Sequence, residues 1–178
     1  MRAMRGSLFL FLILVLLVPA SSLAKPDGSE KGAKALLAAF LKPGADFAAL
    51  TKALRPTSAD YKAIFDAESA AKAEKGFAQP WDEGSIILKP KPEQSQLVLE
   101  SATSDELKAD SPKAKALPKH WTKIAASLKK GVRIYHLHFM EKGADKEDNT
   151  KQTSFAGLIF VNNHWVLMPK PWRVLESK

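Results

Sequence analysis

The chain has 178 residues, of which 46% are hydrophobic, and a formal net charge of +8 with no cysteine. That length suffices for one ordinary domain with a real core. The missing cysteine excludes disulfides, thiolate metal sites, cysteine nucleophiles and a lipid anchor on a leading cysteine.

The first 24 residues have the pattern of a cleavable export signal. Arg2 and Arg5 form a positive start, Leu8 to Val18 is an unbroken apolar run, and Pro19 breaks the helix. Ser22-Leu23-Ala24 then supplies small residues where a signal peptidase reads. Cleavage is expected between Ala24 and Lys25, with a cut after Ala20 as the alternative. The apolar run has 11 residues, against the roughly 20 that a spanning helix needs. No mature membrane span is therefore expected, and the product is read as periplasmic or secreted. Residues 25–178 are expected to form one α+β domain.

Losing Arg2 and Arg5 lowers the charge from +8 to +6. The remaining cations are lysines apart from Arg55, Arg133 and Arg173, and they are interleaved with acids, as in Lys142, Asp145, Lys146, Glu147 and Asp148. Nucleic-acid readers favour arginine for its planar fork, so nucleic acid is not expected as a partner. A lysine-driven attraction to anionic polymers or surfaces is kept as an alternative.

In chain order, Asp27 and Glu30 have capping-box spacing ahead of Ala33, Leu36, Leu37, Phe40 and Leu41 at helical spacing. Pro43-Gly44 closes that helix. Asp46 caps a short second helix, and Thr57 with Asp60 caps a third, which runs through Tyr61, Ile64 and Phe65 toward Phe77 and stops at Pro80. Ile86–Leu88 and Leu97–Leu99 read as short strands, and Thr103 with Glu106 as the cap of a helical turn. Residues 109–119 read as a loop, followed by a helix carrying Trp121, Ile124, Ala125 and Leu128 that ends before Gly131. Val132–Met140 and Ser154–Val161 are strands by β propensity. Asn162-Asn163 makes a two-residue turn, and His164–Met168 returns antiparallel. Pro169 and Pro171 leave the tail as an extended edge segment. Helices first and hairpin-linked strands after argue for N-terminal helices packed on a mainly antiparallel sheet formed by the C-terminal half.

The helical stretch 30–79 and the closing hairpin GLIFVNNHWVLM resemble, in element order, the cone-shaped α+β proteins of the nuclear-transport-factor-2-like family. That resemblance implies helices against a curved sheet that can enclose a pocket, in which enzymes of the family pair a His or Asp with a Tyr. The phrases LRPTSADYKAIF and AGLIFVNNHWVLMPKPWRVL also resemble small exported bacterial proteins of uncharacterised families. That second likeness implies no activity.

Three sets of residues carry candidate chemistry. His136 and His138 lie two apart on one strand, so both rings share a face and can reach one zinc ion. His164 or His120 is the candidate third ligand, with Glu141 as a carboxylate option; no H-E-x-x-H helix is present, and no other cofactor is expected. For acid–base work, Asp60, Tyr61, Asp66, Tyr135 and His138 are the available types, although Tyr135 and His138 have opposite strand parity. Trp172 with Arg173 is expected to tether the C-terminus, and Trp165 to join the core. Nucleophile elbows, Walker loops and dinucleotide fingerprints are missing. The leading expectation is a non-catalytic binding or structural module of the cell envelope. A small exported enzyme with a His-lined, metal-dependent pocket is the alternative.

Overall fold

The computed structural model describes residues 27–145, 148 and 150–176. The export segment and its cleavage point at Ala24 and Lys25 lie outside the described residues. Helices come first: α1 (Glu30–Leu37) with a 3-10 turn at Ala38–Leu41, then α2 (Phe47–Lys52), α3 (Ser58–Ile64) and α4 (Ala67–Asp82). Strand β1 (Gln94–Thr103) leads into three short helices, α5 (Ser104–Lys108), α6 (Pro112–Lys115) and α7 (His120–Lys123). Strands β2 (Arg133–Glu141), β3 (Gln152–Val161) and β4 (His164–Leu167) follow, and α8 (Trp172–Leu175) closes the chain. The four strands form an antiparallel meander in sequence order. This is the α+β class expected, with the helices ahead of most of the sheet.

The expected caps at Asp46, Thr57 and Thr103 are present, the last two as complete capping boxes with Asp60 and Glu106. At the first helix the cap is Ser29, whose Oγ accepts from the Gly32 amide at 3.1 Å. Asp27 instead accepts from the Ser29 amide and hydroxyl.

Other boundaries move for identifiable reasons. The third helix breaks at Phe65, which turns extended and bridges Leu128; Lys129 N–H then reaches Ile64 and Asp66 N–H reaches Ser127, both at 2.9 Å. A tertiary pairing therefore overrides the helical continuation. Helix α4 runs past Pro80 to Asp82, because a proline this late removes one hydrogen bond and breaks no later turn. Ile86–Leu88 is not a strand: the Leu88 N–H is taken by the buried Thr51 hydroxyl at 3.0 Å. The 109–119 loop contains α6, and the helix expected through Leu128 is only α7 plus a 3-10 turn at Ala125–Ser127.

The tail is helical rather than extended. Lys170 adopts φ +52°, and the chain turns into α8. Trp172 is buried, stacked on His120 at 5.1 Å between ring centroids and edge-on to Trp121 at 5.6 Å. The Lys72 ammonium donates to the Leu175 carbonyl at 2.8 Å, so the C-terminal turn is pinned to α4 by a polar contact as well as by Trp172.

The odd residues of β2, Tyr135, Leu137 and Phe139, are fully buried, and Phe139 packs at 6.4 Å from Phe40 of the first 3-10 turn. Trp165 joins this core, edge-on to Tyr135 and Phe160. A bulge at Gly157 interrupts the β2–β3 register between Tyr135 and His136. Gly157 has φ +105°, and a Cβ there would lie 2.0 Å from the Met168 carbonyl oxygen. Only glycine fits that conformation and that approach.

Candidate metal centre

The even residues of β2 carry His136 and His138 side by side on the opposite sheet face, with ring centroids 4.2 Å apart. Antiparallel pairing sets Glu100 of β1 directly opposite His136 and Val98 opposite His138. Glu100 thus stands across from one histidine and diagonal to the other, within reach of both. Its Oε2 lies 3.8 Å from His136 Nδ1 and 3.6 Å from His138 Nε2. One ligand atom from each of the three residues falls within 4.8 Å of the others.

The proton positions follow from the outer contacts. His138 Nδ1 lies 2.8 Å from Gln152 Oε1 and 2.8 Å from Ser154 Oγ. An amide oxygen only accepts, so Nδ1 carries a hydrogen and Nε2 is the ring nitrogen turned toward Glu100. His136 uses its ring toward the backbone of Ala116, and its Nδ1 has no hydrogen-bond partner. Burial, and then the neighbouring His138, push the His136 pKa down to about 4, against the opposing pull of Glu100 and the Ala116 bond. The ring is therefore neutral near pH 7. Two imidazole nitrogens and a carboxylate oxygen converge, at spacings too long for hydrogen bonds.

This arrangement fits a cation better than it fits itself. His136 Nδ1 and His138 Nε2 are buried polar atoms with no hydrogen-bond partner, and such atoms are costly. Ligand bonds of about 2.0–2.2 Å in a tetrahedron place ligand atoms roughly 3.3–3.6 Å apart, close to the 3.6 and 3.8 Å seen here. Metal-ligating histidines usually donate their second nitrogen to a carbonyl or a polar side chain, which fixes tautomer and ring angle. Ala116, Gln152 and Ser154 stand where such partners are needed. The side chains of His136 and His138 are 12% exposed and that of Glu100 is 24% exposed, so the cluster is largely buried but not sealed from solvent.

The other histidines and the acid–base candidates lie elsewhere. His164, at the start of β4, places Nε2 3.1 Å from Asp60 Oδ2. Asp60 is fully buried. It also accepts from the Thr57 amide at 2.8 Å, the Thr57 hydroxyl at 2.7 Å and the Asn162 amide at 2.8 Å. Burial would raise its pKa, but these bonds and the adjacent His164 outweigh it and hold the carboxyl below its ordinary value. Asp60 is thus a clasp between α3 and the β3–β4 turn. His120 stacks on Trp172. Glu141 is three residues from His138 and so has the opposite strand parity. Asp66 caps α4, and the Tyr135 hydroxyl donates to the Gly28 carbonyl at 2.7 Å. Tyr61 is buried against Phe77, and that burial raises its pKa.

Glu100 is the residue that sequence reasoning missed. Its signal was weak: alternation along 94–103 puts Val98, Glu100 and Ala102 on one face, but only the register with β2 sets Glu100 opposite His136. No family model, curated protein or solved structure matches this chain. The likeness to the cone-shaped family therefore rests on element order alone.

Proposed function

We propose that this chain is a small exported, non-catalytic binding module whose ligand is a divalent transition-metal ion of the zinc class. The ion would be held by His136 Nδ1, His138 Nε2 and Glu100, with water completing the shell. The observation that carries this reading is the convergence of two buried imidazole nitrogens, neither with a hydrogen-bond partner among the described residues, on one carboxylate. Two imidazoles with one carboxylate suit zinc, and they also suit copper or iron of the same charge. Export is supported by the N-terminal apolar run behind Arg2 and Arg5. Among the described residues no helix is long and apolar enough to cross a membrane. Binding is favoured over catalysis because Asp60, Asp66 and Tyr135 are each engaged in structural contacts away from the histidines.

The test is calorimetric titration of chelator-treated protein with zinc chloride, with the metal content of the purified protein measured in parallel. One ion per chain is expected, lost in the double variant His136→Ala/His138→Ala while its circular dichroism is retained. Gln152→Ala, which removes an outer contact only, should weaken binding by about 10–100-fold. Equal zinc affinity in the double variant and the parent would overturn the proposal.

A further inference from the structure

A second site lies apart from the histidine cluster, in a cleft of about 370 Å³ between the C-terminal half of α4, the 85–87 segment, the first half of β3 and the tail. Strand β4 pairs only with 158–161 of β3, so the cleft opens beside 154–156, where β4 does not reach. Phe77, Phe155, Leu167 and Val174 supply an apolar wall. Ile87 stands at the lip, 44% exposed, and is the one exposed large hydrophobic side chain among the described residues.

Charge gives the cleft a polarity. Lys170 and Arg173 line its tail side, both exposed, and no aspartate or glutamate lines it. Some cations of the described chain sit in ion pairs, such as Lys34 with Glu30 and Arg55 with Asp82; Lys170 and Arg173 have no such partner among the described residues. Lys170 is held at φ +52° between Pro169 and Pro171, a conformation that side-chain-bearing residues adopt at a cost. The flanking prolines therefore fix the backbone from which this exposed side chain departs.

We propose that this cleft binds a single-chain amphiphile with an anionic head, of the fatty-acid type. The tail lies along Ile87, Phe155 and Val174, over the buried Phe77 and Leu167, and the head pairs with Lys170 and Arg173. The volume falls at the low end of small-molecule sites, about 300–1,000 Å³, and an apolar cavity with a few converging polar groups is the usual form of such sites. A monomeric ligand is favoured over a membrane surface because the apolar groups face inward. Ile87 alone protrudes, too little to anchor a domain in a bilayer.

The experiment uses sodium laurate below its micelle concentration, added to the purified protein with a chelator present, so that the metal reading is neither needed nor tested. Binding is followed by calorimetry and by nuclear magnetic resonance shifts at Phe155 and Ile87. Laurate is expected to bind at one site and to shift both residues. Lys170→Glu/Arg173→Glu, at exposed positions that do not threaten the fold, should weaken it at least tenfold. Dodecanol, with the same tail and no charge, should bind the parent at least tenfold more weakly than laurate. Three results would overturn the proposal: no laurate binding, equal binding of laurate and dodecanol, or capture by phosphatidylglycerol vesicles without binding of monomeric laurate.

Discussion

His136 makes the metal-free protein sensitive to mild acid, by an amount the structure sets. Its pKa falls from an ordinary 6.5 to about 4 because the ring is buried beside a second imidazole. Above pH 6.5 the ring is neutral in both folded and unfolded chains and contributes nothing to pH dependence. Below that, the unfolded chain takes up a proton that the folded site refuses, so stability falls through the window from 6.5 to about 4. At about 1.4 kcal/mol per pH unit, the whole window is worth about 3 kcal/mol, of which some 2–3 kcal/mol is lost by pH 4.5. The ring is only 12% exposed, so solvent screening removes little of this. Urea unfolding of chelator-treated protein, followed by tryptophan fluorescence at pH 7.5, 6.5, 5.5 and 4.5, measures the loss. His136→Gln cannot titrate and should lose about 2–3 kcal/mol less over the same range. Zinc at 100 times its dissociation constant should add about 2.7 kcal/mol at pH 7.5. Parallel stability curves for the parent and His136→Gln would refute the assignment of a buried neutral imidazole.

Two further outcomes test the framework around the site. Asn162→Gly relieves the φ of +49° but removes a hydrogen bond to the buried Asp60 carboxylate, and should cost about 1.5–3 kcal/mol in urea unfolding at pH 7. Because the Asp60 pKa is lowered, that clasp is complete above about pH 4 and fades as pH falls through the folded-state value; a variant as stable as the parent at pH 7 would deny the clasp. Trp172→Ala should cost about 3–5 kcal/mol, since the ring is buried against His120 and Trp121, and a cost under about 1 kcal/mol would show that the tail does not tether the domain.

Local chemistry made much of the fold legible. The caps at Asp46, Thr57 and Thr103 involve partners three residues away, and so does the geometry that lets Asn162-Asn163 turn the closing hairpin. Three of the failures share one cause. Phe65 leaves its helix for Leu128, Leu88 gives its amide to Thr51, and the tail coils so that Trp172 can reach Trp121. Each depends on a partner distant in the chain, and no window of sequence contains both ends.

The site divides along the same line. By itself the sequence determined that His136 and His138 share one face of a strand, because side chains two apart in a strand always do. It also excluded disulfides and thiolate ligands, because there is no cysteine to make them. Tertiary structure alone decided what faces those histidines. Register between β1 and β2 brought Glu100 to them, the turn after β3 sent His164 to Asp60, and packing gave His120 to Trp172. The physical reason is that a ligand set is closed by non-local pairing, where a one-residue slip in register turns a side chain to the other face.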